Sequence, residues 1–300
     1  MKVRIGTRGS DLALWQANFT KNRLEELGAE VEIIIIKTQG DKIQHLSFDK
    51  MEGKGFFTKE IEDFLLDEKV DLAVHSHKDL ETTEPDGLKV IAVSHREDPS
   101  ELLLMHKNAF DATQKFGLKK SAVLGTSSAR RKSLIQSFRK DIELKDLRGN
   151  VPTRINKLRN GDYDGILLAK AGVSRLGLDV SDLHVEVLDY NEFIPAPAQG
   201  VLAWQSREND IELNNFLSQL NDEHVAKTTF VERSILKKCD GGCQLPLGVY
   251  CELVEGVYHL KVSYAPDLNH EMIHFSLENS SAEAVIEKAL EKIQATQKKK

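Results

Sequence analysis

The feature that most constrains this chain is a change of rhythm about two-thirds of the way along it. In the first part, short aliphatic runs alternate with amphipathic stretches. Val3 to Gly6, Val31 to Ile36, Leu72 to Val74, Val90 to Val93, Ala122 to Leu124, Ile142 to Leu144 and Ile166 to Ala169 read as strands. Helical stretches fall between them. Ser10 caps the first, with Leu12, Trp15 and Phe19 on one face, Leu24 and Leu27 continuing it, and Gly28 as its stop; Thr58 opens another with Ile61, Phe64 and Leu65 inward; further helices start near Ser128 and Pro152. Alternation of this kind builds parallel sheets covered by helices.

The last third differs. One long helix is expected from Leu213 to Leu236, followed by the loop Gly241-Gly242-Cys243 and strands over Gly248 to Leu253, Val257 to Tyr264 and Met272 to Leu277. The middle strand alternates as a half-buried antiparallel strand does. Ser280 and Glu283 read as a capping box for a final helix with Val285, Ile286, Ala289, Leu290 and Ile293 inward. Two Pro-containing stretches, His95 to Pro99 and Pro195 to Gly200, are the expected domain boundaries.

With 300 residues, 40% of them hydrophobic and 29% charged, the chain has room for more than one ordinary globular core. A net charge of -6 argues against a general binder of nucleic acid or membrane surfaces. No apolar run approaches membrane-spanning length, and no export signal is read at the N-terminus. The clustered, odd-numbered Cys239, Cys243 and Cys251 then read as reduced thiols of a cytoplasmic protein, and their spacing lacks a good fourth ligand for zinc.

Three groups of residues point to chemistry. Cys243 sits between Gly241-Gly242 and Pro246, at the tip of a tight loop, either as a reactive or attachment thiol or as a loop cysteine packed inward. In Ala73 to Asp79, polar residues emerge at the end of a strand, where open α/β sheets bind ligands; Lys78 beside Asp79 favours an ionised carboxylate. His75 and His77, expected on one strand face, are two of the ligands a metal would need, too few for a site. The third group is a set of cations in loops: Arg8, Lys54, Arg130, Arg131, Arg148, Arg154 and Arg175, joined by the hydroxyls of Ser10, Thr126, Ser127 and Ser128. Arginine forks and helix N-termini suit carboxylates, so an acidic chain that gathers cations at strand ends fits a polycarboxylate ligand. Gly53-Lys54-Gly55 lacks the P-loop pattern.

Taken in order, these motifs resemble the porphobilinogen deaminase family over nearly the whole chain. The matches include Arg4 to Arg8 with Leu12 to Ala17, Thr38 to Asp41, Gly53 to Glu60, Ala73 to Asp79, Arg96 to Pro99, Gly125 to Arg131, Leu147 to Val151 with Thr153-Arg154, Arg175-Leu176, Gln199-Gly200 and Gly241 to Gly248. The resemblance implies an α/β fold of two periplasmic-binding-protein-like lobes with mixed sheets plus a small C-terminal α+β domain. The domains would be 1–95 plus 196–212, 96–195, and 213–300. It implies a transferase that joins four porphobilinogen molecules head to tail with loss of ammonia and then releases a linear tetrapyrrole by hydrolysis. The primer would be a dipyrromethane on a thioether to Cys243, and Asp79 the catalytic carboxylate. Lys78, Thr126, Ser127, Ser128, Arg130, Arg131 and Arg148 match cofactor-binding positions. Arg8, Ser10, Lys54, Phe57, Arg154, Arg175 and Gln199 match substrate-binding ones. No metal, nucleic acid or membrane partner is implied, and a monomer is expected.

The chain departs from the family's pattern at His77, Leu80-Glu81, Lys170, Pro152 and Ala198, none of which removes a catalytic role. The competing readings are a bilobed anion- or solute-binding protein without chemistry, which predicts an export signal, and a metal-dependent hydrolase, which needs ligands beyond His75 and His77.

Overall fold

A computed structural model describes residues 1–38, 58–239 and 244–297. In chain order the strands and helices are β1 (Lys2–Thr7), α1 (Asp11–Glu26), β2 (Glu30–Ile35), α2 (Lys59–Leu66), β3 (Leu72–Ser76), β4 (Leu88–Val93), β5 (Glu101–Met105), β6 (Val123–Gly125), α3 (Ala129–Phe138), β7 (Glu143–Lys145), α4 (Val151–Arg159), β8 (Gly165–Ala169), α5 (Lys170–Arg175), β9 (His184–Leu188), β10 (Leu202–Arg207), α6 (Ile211–Leu217), α7 (Glu223–Lys238), β11 (Leu247–Val254), β12 (Val257–Tyr264), β13 (Ile273–Asn279) and α8 (Ala282–Gln297). They divide into two compact units, 1–97 with 200–226 and 98–199 with 227–300.

The first unit holds a mixed sheet in the order β2-β1-β3-β10-β4, with β10 antiparallel to both neighbours. Alternation along β3 decides its two cores. Leu72 and Val74 pack with Ile5, Trp204 and the α1 residues Ala17 and Leu24, whereas Ala73 packs with Ile61 and Leu65 of α2. Of the expected stripe Leu12, Trp15, Phe19, Leu24 and Leu27, Leu24 is fully buried and Phe19 packs half-buried against the core; Gln16, Ala17 and Thr20 complete the inward face. The polar ones are admitted because each finds a partner: Trp204 Nε1 donates to Thr20 Oγ1 at 2.8 Å, and Gln16 Nε2 to Ser76 Oγ at 2.8 Å.

The second unit holds a mixed sheet in the order β7-β6-β8-β5-β9 and a separate antiparallel sheet, β11-β12-β13. In the first, Leu103, Met105 and Leu167 face α3, whereas Leu102, Leu104, Ile166 and Leu168 face α4 and α5. The small sheet packs on α8 and on Val231 and Ile235 of α7.

The expected α/β class therefore holds, with three local corrections. The helix expected from Leu213 to Leu236 is interrupted: a 3-10 turn follows α6, and Asp222 then caps α7 by accepting from Val225 N at 3.0 Å. Ser281, not Ser280, caps α8, its Oγ accepting from Ala284 N at 3.2 Å. His77 lies beyond β3 in a 3-10 turn with Lys78 and Asp79, so it does not share a strand face with His75. Among the described residues no helix is long and apolar enough to cross a membrane.

Candidate active site

Both five-stranded sheets place the predicted residues at one end. In the first unit β1 and β3 run parallel and adjacent, with Gly6 opposite Ala73, so their C-terminal ends emerge side by side. Arg8 and Ser10 follow β1; Lys78 and Asp79 follow β3. Ser10 caps α1, its Oγ accepting from Ala13 N at 3.4 Å. The turn carrying Asp79 is held by His77 N donating to Val201 O at 2.9 Å and by the Gln16–Ser76 bond, which ties it to α1. Asp79 is exposed and Arg8, Ser10 and Lys78 are half-buried.

Beneath this turn lies a polar chain that the sequence did not announce. His75 Nε2 meets Gln205 Oε1 at 3.1 Å, and Gln205 Nε2 donates to Glu62 Oε1 at 3.2 Å. Complete burial pushes the His75 imidazole down to about 4, only partly opposed by its bond to Gln205. Burial raises the Glu62 carboxyl as well. His75 is thus a neutral core histidine, and among the described residues no group of three or more His, Cys, Asp or Glu is arranged to hold a metal.

In the second unit β6, β7 and β8 are parallel neighbours, so Thr126-Ser127-Ser128, Arg148 and the helix leading to Arg175 leave the same end of the sheet. Ser128 caps α3 through Arg131 N at 3.4 Å. Ser127 Oγ donates to Leu147 O and accepts from Leu147 N, both at 3.0 Å, which clamps the loop bearing Arg148 beside the α3 N-terminus. Asn150 caps α4 through Thr153 N at 2.9 Å, with Pro152 in the first turn, where its missing N–H costs nothing. Gly149 has φ +114°, and a Cβ there would stand 2.6 Å from Thr153 Cγ2, so the turn needs glycine. Arg154 Nε donates to Gly149 O at 2.7 Å, keeping that side chain beside the same turn.

Arg130 and Arg131 are buried rather than solvated. Glu101, at the head of β5 and opposite Ala169, accepts from Arg130 Nη2 at 2.5 Å on one oxygen and from Arg131 Nη2 at 2.6 Å on the other. Arg130 Nη1 also donates to Ile194 O at 2.9 Å and Arg131 Nη1 to Leu167 O at 3.0 Å. Burial holds the Arg130 guanidinium below its usual range against the pull of Glu101. Arg131 Nε is buried without a hydrogen-bond partner. A buried donor left over in a cluster of guanidinium and hydroxyl groups is what a carboxylate-bearing cofactor would satisfy, so the donor set fits the dipyrromethane's acetate and propionate groups.

Gln199 is buried, its amide donating to Pro99 O at 2.7 Å across the two segments that bound the unit. Lys170 pairs with Asp98 at 2.6 Å and donates its backbone N–H to Ser100 O, which accounts for a cation at the head of α5. Ala198 has φ +60°, the left-handed region glycine favours, and its N–H donates to Glu232 Oε2 at 2.6 Å. The other oxygen of Glu232 accepts from Cys251 N at 2.8 Å. Lys54, Phe57 and Cys243 lie outside the described residues. The other predicted residues form two sets, Arg8, Ser10, Lys78 and Asp79 in one unit and the hydroxyl and arginine set with Gln199 in the other. Sequence reasoning missed Glu101, Gln205 and Glu232; an acid opening the apolar run Leu102 to Met105 was the available signal for the first.

Among solved structures the chain is similar to a Salmonella typhimurium periplasmic binding protein described for its high arginine specificity, at 14% identity and a TM-score of 0.42, covering 79% of this chain and 98% of that one. Among curated proteins it is 46% identical over 255 residues to the porphobilinogen deaminase of Nitratiruptor sp., covering 85% of this chain and 80% of the relative. It is 39% identical over 285 residues to that of Geobacillus kaustophilus, covering 94% and 91%. The family model described as "Porphobilinogen deaminase, dipyromethane cofactor binding domain" matches residues 3–215. The chain therefore belongs to the porphobilinogen deaminase family.

Proposed function

We propose that the chain is a hydroxymethylbilane synthase, a transferase that joins four porphobilinogen molecules head to tail with loss of ammonia and hydrolyses the finished linear tetrapyrrole from the protein. The observation that carries this reading is the buried Arg130–Glu101–Arg131 cluster with its leftover Arg131 Nε donor, set among strand-end hydroxyls and arginines. A site built this way takes carboxylates, and every porphobilinogen unit brings an acetate and a propionate.

Arg130, Arg131, Arg148, Thr126, Ser128 and Lys78 would hold the dipyrromethane, with Ser127 fixing the loop of Arg148. When bound through a thioether to Cys243, the dipyrromethane supplies the pyrrole end to which new units are added. Arg8, Ser10, Lys54, Phe57, Arg154, Arg175 and Gln199 would serve the incoming substrate. Asp79, exposed in the turn that follows β3, would accept a pyrrole N–H on its carboxylate oxygens and stabilise the positive charge that develops as ammonia leaves. His75, neutral beneath it, adds no competing charge.

The three-domain division 1–95 plus 196–212, 96–195 and 213–300 belongs to this reading, supported by three separate sheets and by a distinct core around β11 to β13. A cytoplasmic monomer is also part of it, in keeping with the small, odd-numbered cysteine set of the sequence. Incubation with porphobilinogen tests the function: ammonia and a linear tetrapyrrole should appear, and Cys243→Ser should carry no pyrrole adduct. Binding of porphobilinogen without ammonia release would favour a non-enzymatic anion-binding protein instead.

A further inference from the structure

Glu101 is fully buried and is shared between two arginines, one carboxylate oxygen to each. Each arginine has a second anchor on a backbone carbonyl, Ile194 O for Arg130 and Leu167 O for Arg131. Ile194 is itself a docking point: its neighbour Pro195 accepts from Val249 N at 3.0 Å, and a Cβ on Gly248 would stand 2.6 Å from Ile194 O. The arginine pair is therefore fixed from the strand β5, the strand β8 and the segment that receives β11. Two adjacent buried guanidinium groups repel one another. One shared carboxylate cancels one of the two charges and fixes the planes of both, leaving one net positive charge and the Arg131 Nε donor for a ligand.

We propose that Glu101 is a positioning residue for the pyrrole carboxylates. It does not touch the ligand; it sets the orientation and net charge of Arg130 and Arg131, on which ligand affinity depends. This rests on the functional reading given above. A merely structural Glu101 would affect stability alone, whereas a positioning Glu101 affects how the folded protein acquires its primer and binds substrate.

The test uses apo-protein of the full chain, incubated with porphobilinogen and followed by intact mass, together with melting temperature and the KM and kcat of loaded protein. Folded Glu101→Gln, which loses the charge and turns an amide N–H toward an arginine, should acquire the pyrrole adduct about ten-fold more slowly or worse, with KM raised more than kcat falls. Glu101→Asp keeps the charge on a shorter arm and should load at close to the wild-type rate, with KM raised by roughly two- to five-fold and kcat nearly unchanged. Folded Glu101→Gln that loads and binds like wild type overturns the proposal. If Glu101→Gln does not fold, Glu101→Asp decides, and a wild-type KM there overturns it. Wild-type apo-protein that never gains the adduct overturns the functional reading itself, an outcome distinct from the failure of Glu101 alone.

Discussion

The two sheet ends solve the same placement problem with opposite electrostatics. In the first unit, the buried layer under the turn of Asp79 is centred on neutral His75 and on Gln205, with the half-buried Glu62 at its edge. Asp79, the carboxylate of the proposed chemistry, stands exposed on that turn. In the second unit, the charges themselves are buried, two arginines about one carboxylate, and the helix cap Ser128 and the arginines Arg148, Arg154 and Arg175 are half-buried. A carboxylate that must meet a developing cation and exchange protons works best where it can reach solvent and substrate freely. Cations that must hold carboxylates through several additions work best when their geometry is fixed beforehand, and burial with a shared counter-ion fixes it. On the proposed function, the first end serves the chemistry and the second holds the carboxylates.

That contrast can be broken from either side. The largest effect is expected at Asp79. Asp79→Asn should leave the melting temperature near wild type and lower turnover by roughly 10²- to 10⁴-fold, the range of a lost acid–base group; steady-state ammonia release measures it, and near-normal turnover would remove Asp79 from the mechanism. Next is the pH dependence of the first unit. The unfolded chain protonates His75 near 6.5, whereas the folded chain resists until about 4. Stability is therefore complete above about 6.5 and is lost as pH falls toward 4, by as much as about 3 kcal/mol. Denaturant melts from pH 7 to 4 should show this loss, and His75→Gln should flatten it.

In the second unit, Gly248→Ala would put a Cβ 2.5 Å from Ser263 Oγ and 2.6 Å from Ile194 O. Because Ile194 O also anchors Arg130, we expect a loss of about 1–3 kcal/mol together with weaker substrate binding. Unchanged KM in a destabilised Gly248→Ala would separate β11 docking from the arginine pair. The smallest effect is a gain. Ala198→Gly relieves a left-handed alanine and should change stability by at most about 1 kcal/mol, in the stabilising direction, because the strain relieved exceeds the added freedom of the unfolded chain.

Much of the fold could be read from the sequence because periodicity and capping are local. The alternation of Val3 to Ala169, the Ser10 and Ser128 caps and the β11 to β13 meander all follow from residues near one another in the chain. The strand ends that carry Arg8, Asp79, Thr126 and Arg148 were legible for the same reason. What was not legible depends on partners far apart in sequence. Glu101 is buried only because Arg130 and Arg131 come to it from the next helix, and Gln16, Thr20 and Gln205 are buried only because Ser76, Trp204 and His75 receive them. An amphipathic pattern that counts only apolar residues finds Leu24 and Phe19 but not Gln16 and Thr20; in the structure Trp15 and Phe19 stack on each other at 5.4 Å, both half-buried, while Gln16 and Thr20 share the core with Ala17 and Leu24. The break between α6 and α7 was missed because Asn221 and Asp222 act through bonds, to Val93 N and Val225 N, that a helical pattern does not reveal.

The central claim is that a grip for pyrrole carboxylates serves a primer carried on Cys243. It is tested most directly by the intact mass of the purified protein, with peptide mapping of the segment around Cys243, before and after incubation with porphobilinogen. The account predicts an excess of two substrate-derived pyrrole units on that cysteine, present at purification or acquired on incubation. A protein that binds porphobilinogen yet stays unmodified at Cys243 after incubation would contradict it.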